Sequence, residues 1–224
     1  MDFSQVSVST EQYCLIRHDV EFSVDRALSL AQFESDVLDI KSSYLFQLRN
    51  NCYNLASDVN LEKIHSIHDL GHKVGLHLHI GLIGKADELT DYILNEARLF
   101  EAITGLKVDR FSYHRPSTDI LKDYLHIPGL INCYDKKFFH HYDTPHNNLD
   151  VKYFSDSRHS WQHGHPLHEK HKKVQILTHP YSWTETGHGN TENYRTLLTE
   201  KDCELRDSIN RETSTFPKEL HHRS

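Results

Sequence analysis

The chain has 224 residues and a mass of 26.3 kDa, which is enough to bury one sizeable core. Its net charge is -7 at pH 7, with acidic and basic residues interspersed, and this argues against a nucleic-acid partner, because such partners favour a basic face. No apolar run approaches the roughly 18 residues that a membrane span needs. The first residues, MDFSQVSVSTEQ, lack the basic and apolar regions of a secretory signal, so we expect a cytoplasmic protein.

Two residue types bear on redox chemistry and metal binding. The cysteines are far apart and form no CxxC, so scattered reduced thiols are expected; they are Cys14, Cys52, Cys133 and Cys203. Histidine is abundant, with 20 residues, and this abundance also raises the chance of any histidine motif. The HxH pairs His77/His79 and His163/His165 therefore carry no weight by themselves.

Short apolar runs alternate with helical stretches along the chain, a pattern typical of a parallel α/β sheet or barrel. The predicted strands are residues 13–17, 43–48, 73–78, 108–113, 131–134, 151–154 and 174–177. The predicted helices are an early one capped by Ser23 and later ones at 60–70, 86–104, 117–125 and 193–208. The histidine-rich segments 136–150 and 159–173 are predicted loops. We expect a single domain over residues 1–210 and a frayed tail over 211–224.

Polar residues that could do chemistry gather where the predicted strands end. Asp19 and Glu21 follow the first strand, and His77 and His79 come at the end of the third. Later strand ends carry further groups: His114 with Arg115, the segment from Asp156 to Trp161, and His179. Because the carboxyl ends of parallel strands meet at one edge of the sheet, we expect these side chains to form one site.

Each of these groups also has a purely structural interpretation. Asp19 could cap a helix, His77 and His79 could be core histidines, and Arg115 could be an ordinary ion-pair partner. Their shared position at strand ends favours a functional site instead. Two carboxylates and two imidazoles, from Asp19, Glu21, His77 and His79, suit a divalent metal such as zinc.

Five short segments carry a family resemblance. In chain order they are RHDVEFS (17–23), GHKVGLHLH (71–79), FSYHRP (111–116), SDSRHSW (155–161) and VQILTHPYSW (174–183). This order resembles the motifs of the NodB-homology polysaccharide deacetylases, carbohydrate esterase family 4. RHDVEFS is similar to the RHDVD variant found in bacterial surface-polysaccharide gene clusters. The resemblance covers about residues 12–185 and implies a distorted (β/α) barrel of about seven strands.

The resemblance implies metal-dependent hydrolysis of an N-acetyl or N-formyl group on a sugar or polysaccharide precursor, in O-antigen or capsule biosynthesis. Asp19 would be the catalytic base, Arg115 would orient it, and His179 would be the general acid. The resemblance makes Glu21 and His77 metal ligands, and the donor chemistry at the strand ends adds Asp19 and His79 as expected ligands. The metal is expected to be zinc, with cobalt, manganese and nickel as alternatives. The implied substrate-binding residues are Arg17, His114, Asp156, Arg158, Trp161 and Tyr181.

Two positions depart from the family pattern. The residue four after His77, where a second histidine is usual, is Gly81, and Glu21 stands where aspartate is commoner. Either His79 supplies the second imidazole or the metal has fewer protein ligands. One alternative function is therefore a catalytically inactive, carbohydrate-binding protein of the same fold. Another is a barrel hydrolase acting on a cyclic amide or phosphoester, which would need further Lys or Asp ligands at late strand ends.

Overall fold

The computed structural model describes residues 1–81, 86–140, 151–185, 187 and 189–220. The strands are β1 (Tyr13–Val20), β2 (Ser43–Phe46), β3 (Lys73–His79), β4 (Arg110–His114), β5 (Ile131–Asn132), β6 (Val151–Ser155) and β7 (Lys173–Thr178). The α-helices are α1 (Val24–Asp36), α2 (Asp58–Asp69), α3 (Ala86–Thr104), α4 (Thr118–Asp123) and α5 (Asn190–Glu212). Within these described ranges, no helix combines the length and apolar character that crossing a membrane requires.

The seven strands form one parallel sheet in the order β5-β4-β3-β2-β1-β7-β6. The sheet curls into a half-barrel with helices α1, α2 and α3 packed on its outer face, which confirms the predicted α/β barrel-like fold. Each predicted strand has a counterpart, although β1 continues to Val20 and β5 is only two residues long. Asp19 therefore lies within β1 and not after it. Of the predicted loop 136–150, residues 141–150 lie outside the described part of the chain.

Contacts divide the chain into two compact units, Met1–Pro180 and Tyr181–Ser224. The first unit contains the whole sheet and helices α1 to α4. The second contains α5, which continues to Glu212 and is followed by a 3-10 helix at Lys218–Leu220. The predicted division between a domain ending at 210 and a tail remains a prediction.

Local signals in the sequence define several helix starts. Ser23, Ser57 and Ser117 each accept a hydrogen bond from the backbone N–H three residues later, at the starts of α1, α2 and α4. Such caps satisfy an amide that the helix itself leaves unpaired, and each is worth about 1 kcal/mol. Ser23 thus turns the chain into α1 just after Glu21, so the cap also places a candidate site residue.

Alternation along the strands separates an apolar face from a polar one. The outward side chains of β3, including Leu76 and Leu78, pack in the main core with apolar side chains of α2 and α3 such as Ile64 and Phe100. The opposite face points into the concave side of the half-barrel and is polar yet buried. Its members include Arg17, Asp19, His77, Ser112 and Gln175, each no more than 2% exposed.

A glycine makes room for this polar interior. A Cβ atom at Gly75 of β3 would lie 2.7 Å from the backbone oxygen of Arg110 and 2.8 Å from Leu45 Cδ2. Both distances are shorter than normal carbon contacts, so a larger residue would push β2, β3 and β4 apart. The Arg110 side chain crosses the space that the glycine leaves.

The amino-terminal residues close the end of the half-barrel where the strands begin. Phe3 and Val6 are buried in a second apolar cluster, with side chains from β1, β2, β6 and the segment after β5: Tyr13, Leu15, Leu45, Cys133, Phe138 and Val151. The Phe3 and Phe138 rings meet edge to face, with centroids 5.0 Å apart. Asp2 pairs with the buried guanidinium of Arg110, which also donates to Ser43 Oγ at 2.8 Å.

Candidate metal centre

Three side chains converge at the carboxyl ends of β1, β3 and β4. His114 Nδ1 lies 2.8 Å from Glu21 Oε1. His77 Nε2 lies 3.3 Å from the same His114 nitrogen and 3.5 Å from Glu21 Oε1. Two imidazole nitrogens and one carboxylate oxygen therefore share a small space, and within the described residues these three form a group able to hold a metal ion.

The spacing of these atoms can be compared with what a metal would require. Zinc takes nitrogen and oxygen ligands at about 2.0–2.1 Å, which places tetrahedral ligand atoms about 3.3 Å apart. The observed separations of 2.8, 3.3 and 3.5 Å lie around that value. The His77 side chain is 2% exposed, whereas those of His114 and Glu21 are 13% and 15% exposed. The three residues therefore fit a divalent ion with one side open.

The electrostatic state of Glu21 agrees with this fit. Burial opposes ionisation of its carboxyl, but the hydrogen bond from His114 and the positive charge of His179 outweigh it and hold the pKa of Glu21 well below its usual range. The carboxyl is therefore ionised at neutral pH, the form in which a carboxylate binds a metal.

The other edge of the His77 ring faces into the protein. His77 Nδ1 lies 2.8 Å from Ser112 Oγ and 3.4 Å from Asp19 Oδ2. Ser112 Oγ in turn donates to Asp19 Oδ1 at 3.0 Å. Asp19 is 1% exposed, so its carboxylate sits behind His77 and not on the open side of the cluster.

Arg17 holds Asp19 from deeper inside the half-barrel. Its guanidinium donates to Asp19 Oδ2 at 3.3 Å, to Tyr134 Oη at 2.6 Å and to Gln175 Oε1 at 3.1 Å. Burial disfavours the charge, but the carboxylate of Asp19 more than compensates and raises the pKa of Arg17. Arg17, for which substrate binding was predicted, is 0% exposed, and its contacts are with these buried groups.

His179 reaches the cluster from the end of β7. Asp156 accepts from His179 Nδ1 at 2.6 Å and from its backbone N–H at 3.0 Å. His179 Nε2 lies 3.8 Å from Glu21 Oε1. Burial lowers the pKa of His179, but the hydrogen bond and charge of Asp156, with the charges of Glu21 and Asp19, raise it overall. The structure therefore brings His179 and Asp156, both predicted site residues, to the metal cluster.

A cavity of about 770 Å³ opens beside the cluster. Its lining consists of Glu21, Phe22, Gln47, Leu48, Arg49, Asn50, Asn51, Cys52, His79, Tyr92, His114 and Arg115. His79 is exposed in this cavity, and its ring centroid lies 5.1 Å from that of His114. Arg115 also faces this cavity. Within the described residues, the arginine that contacts Asp19 is Arg17.

Three predicted residues remain: Arg158, Trp161 and Tyr181. Arg158 lines a second cavity of about 820 Å³, with Tyr134, Phe139 and Tyr153 among its walls. The Trp161 ring packs against His165, with centroids 5.2 Å apart. Tyr181 belongs to the second compact unit, where its hydroxyl accepts a hydrogen bond from Tyr194 at 3.4 Å.

Sequence reasoning missed Ser112 and gave His114 a substrate-binding role. Both lie on β4, which pairs with β3 so that His77 is beside Ser112 and His79 is beside His114. The alternation of Ser112 and His114 was visible in FSYHRP, but their neighbours depend on the register between two strands. Gln47 and Asn50, which follow β2 and line the cavity, were not among the predicted site residues.

Comparison with known proteins shows a shared fold with solved structures. No protein-family model matches the sequence. The curated proteins likewise contain no match. Among solved structures, the chain is similar to a mutant of a CE4 family pseudoenzyme, at 17% identity and a TM-score of 0.50, over 85% of this chain and 62% of that one.

Two further structures are similar at lower scores. The wild-type CE4 family pseudoenzyme from Bacillus anthracis has 16% identity and a TM-score of 0.47, over 85% of this chain and 60% of that one. A family 4 acetyl xylan esterase from Clostridium thermocellum, in complex with a cobalt ion, has 11% identity and a TM-score of 0.45, over 84% of this chain and 82% of that one. The chain thus spans less than two thirds of the pseudoenzyme structures, and the shared feature is the CE4 fold.

Proposed function

We propose that this chain hydrolyses an N-acetyl (or N-formyl) group on a sugar or polysaccharide precursor at a divalent metal centre held by Glu21, His77 and His114. The observation that carries the proposal is the convergence of these three ligand atoms within 2.8–3.5 Å of one another, with His179 beside them. The resemblance of RHDVEFS to the RHDVD variant supports a precursor in O-antigen or capsule biosynthesis. The two-nitrogen, one-oxygen donor set favours zinc, with cobalt, manganese or nickel as alternatives.

The chemistry divides between the metal and the chain's own residues. A divalent ion at this position would polarise a carbonyl oxygen and activate a water molecule. His179 supplies the proton for the departing amine, because Asp156 holds Nδ1 and leaves Nε2 facing the cluster. Asp156 also fixes the orientation of the ring, so the proton is delivered from one position.

The neighbouring cavity suits a sugar. Its volume of about 770 Å³ falls within the range of small-molecule sites, about 300–1,000 Å³. Phe22 and Tyr92 offer aromatic surface, and the amides of Gln47 and Asn51 offer partners for hydroxyl groups. Arg115 and His79 complete the wall nearest the metal cluster, so in this proposal they contact the substrate.

The experiment compares His114→Ala with His79→Ala in protein loaded with zinc or cobalt. The wild-type protein is expected to hold about one equivalent of metal and to release acetate from an N-acetylated sugar or oligosaccharide. His114→Ala should lose the metal because a ligand is removed, whereas His79→Ala should retain it. Elemental analysis and an acetate assay measure both.

Two results would contradict the proposal. If His79→Ala loses the metal and His114→Ala keeps it, the ligand set is wrong. If the wild-type protein holds stoichiometric metal and releases no acetate from any acetamido-sugar tested, the proposed hydrolase activity is wrong. An inactive carbohydrate-binding protein is then the better description.

A further inference from the structure

We propose that Asp19 is a positioning residue which acts through Ser112 to fix the tautomer of His77, so that the Nε2 lone pair points at the metal. This inference rests on the proposed metal centre. It gives Asp19 a role different from the catalytic base that the family resemblance implies, and it assigns a role to Ser112, a member of the FSYHRP segment for which the resemblance implies no function.

The directions of the hydrogen bonds carry the argument. Ser112 Oγ donates its single hydroxyl hydrogen to Asp19 Oδ1, which lies 3.0 Å away. Ser112 Oγ can then only accept from His77 Nδ1, which lies 2.8 Å away. Nδ1 must therefore carry the ring proton. In neutral histidine this leaves Nε2 unprotonated, and Nε2 is the atom that faces Glu21 and His114.

The fold holds this chain of hydrogen bonds in place. Ser112 is the direct neighbour of His77 in the parallel pairing of β3 and β4, and the curl of the sheet brings Asp19 of β1 to the same point. Ser112, Asp19 and His77 are 0%, 1% and 2% exposed, so bulk water does not compete for these bonds. Arg17 donates to Asp19 Oδ2 from the side away from Ser112, at 3.3 Å.

The location of Asp19 separates the two roles. A general base must come within hydrogen-bond reach of the proton that it removes. Asp19 lies on the Nδ1 edge of His77, while the other candidate ligand atoms, Glu21 Oε1 and His114 Nδ1, lie on the Nε2 edge. Metal-bound histidines commonly donate their second N–H to an outer partner, and the loss of that partner typically costs 10–100-fold in metal affinity.

The experiment measures zinc affinity by competition with a chromophoric chelator for wild type, Ser112→Ala, Asp19→Asn and the control Ser43→Ala. Ser112→Ala should bind zinc roughly 10-fold more weakly, because His77 Nδ1 retains its longer contact with Asp19. Asp19→Asn should lower the zinc affinity by up to about 100-fold. Its amide oxygen would accept from Arg17, and its NH₂ group would donate to Ser112. Ser112 would then donate to His77 Nδ1, which favours the tautomer that cannot bind the metal through Nε2. Ser43→Ala removes a buried serine of β2 that contacts Arg110, and it should bind zinc like wild type.

A second readout follows the tautomer itself. Long-range ¹H–¹⁵N spectra of the metal-free protein, with His77 assigned from the His77→Ala spectrum, should show an Nδ1–H ring in wild type. In Ser112→Ala the preference for this tautomer should be weaker, because only the 3.4 Å contact between Nδ1 and Asp19 remains. Ser112→Ala keeps the test decisive if Asp19→Asn fails to fold around the buried Arg17.

Each result decides between the roles. Unchanged zinc affinity in both variants, with turnover lost in Asp19→Asn, overturns the positioning role and supports a catalytic base. An Nε2–H ring in wild type also overturns it. If wild type binds no zinc, the proposed function fails. The His77 tautomer, measured in the metal-free protein, then tests the hydrogen-bond chain from Asp19 through Ser112 separately.

Discussion

His179 illustrates how one buried carboxylate prepares a side chain for chemistry. Asp156 accepts from both the ring and the backbone N–H of His179, which fixes the residue at the end of β7. The ring cannot turn without breaking a charge-assisted bond of 2.6 Å. Such preorganisation is what proton transfer requires, because the donor must already face the leaving group.

We expect His179→Ala to lower the turnover number roughly 100-fold or more, as for a lost general acid. The metal content should stay near that of wild type, because Glu21, His77 and His114 remain. Acetate release and elemental analysis measure the two quantities, and His68→Ala, which changes an exposed histidine of α2, is the control. Loss of the metal in His179→Ala would mean that this histidine is a ligand instead.

At the scale of elements, a buried polar network ties α1 to the sheet. Glu34 of α1 contacts His18 Nε2 at 2.8 Å and accepts from Ser42 and Tyr44 of the β2 region at 2.6 and 2.8 Å. Burial disfavours the ionised carboxyl, but the charge and hydrogen bond of His18, with those two hydroxyls, lower the pKa of Glu34 overall. His18 Nδ1 continues the network to Thr178 of β7 at 2.6 Å.

This network predicts a pH dependence of stability. A carboxyl whose pKa is lowered by folding stabilises the protein above its unfolded pKa, about 4.3, and the stabilisation is lost as the pH falls through the folded value. Glu34→Gln should therefore cost roughly 1–3 kcal/mol at pH 7 and much less near pH 3. Urea unfolding from pH 3 to 7 measures the difference. Glu62→Gln, at an exposed position of α2, should follow wild type, and a pH-independent difference for Glu34→Gln would refute this account.

Element prediction from the sequence worked where the signal was local. Helices α2 and α3 were predictable from apolar spacing and from Gly71 and Gly105 at their ends, and α1 from the Ser23 cap. The network around Glu34 was not predictable, because its partners come from β1, β2 and β7. The same limit applies to Ser112, whose position beside His77 depends on strand register. The position of the candidate site could be predicted from the strand ends. Its hydrogen bonds could not, because they depend on the curl of the sheet.

At the scale of the whole molecule, the amino-terminal segment covers the end of the half-barrel where the strands begin. Phe3 is 2% exposed and packs with Phe138, while Asp2 pairs with Arg110 at the start of β4. Neither the charge pattern nor the periodicity of MDFSQVSVSTEQ indicated this role, since a segment this short has no repeat. Two of its partners, Arg110 and Phe138, lie more than 100 residues later in the chain.

We expect Phe3→Ala to lower the free energy of unfolding by about 3–5 kcal/mol, the usual cost of emptying a buried aromatic site. The metal cluster lies at the opposite end of the strands, so zinc affinity of the folded protein should not change. Urea unfolding gives the first quantity, with Val8→Ala as the control, because Val8 is 72% exposed. A loss below about 1 kcal/mol would show that the segment does not seal the half-barrel.

The position of β1 in the sheet has a consequence for biosynthesis. β1 is synthesised before β2 and can pair with it soon afterwards, but its other neighbour is β7, with Tyr13 beside Lys173. Until β7 has emerged from the ribosome, β1 has an edge with unpaired amides and carbonyls, the kind of surface that templates aggregation. Chaperone dependence should therefore be greatest for chains that stop before β7 is complete.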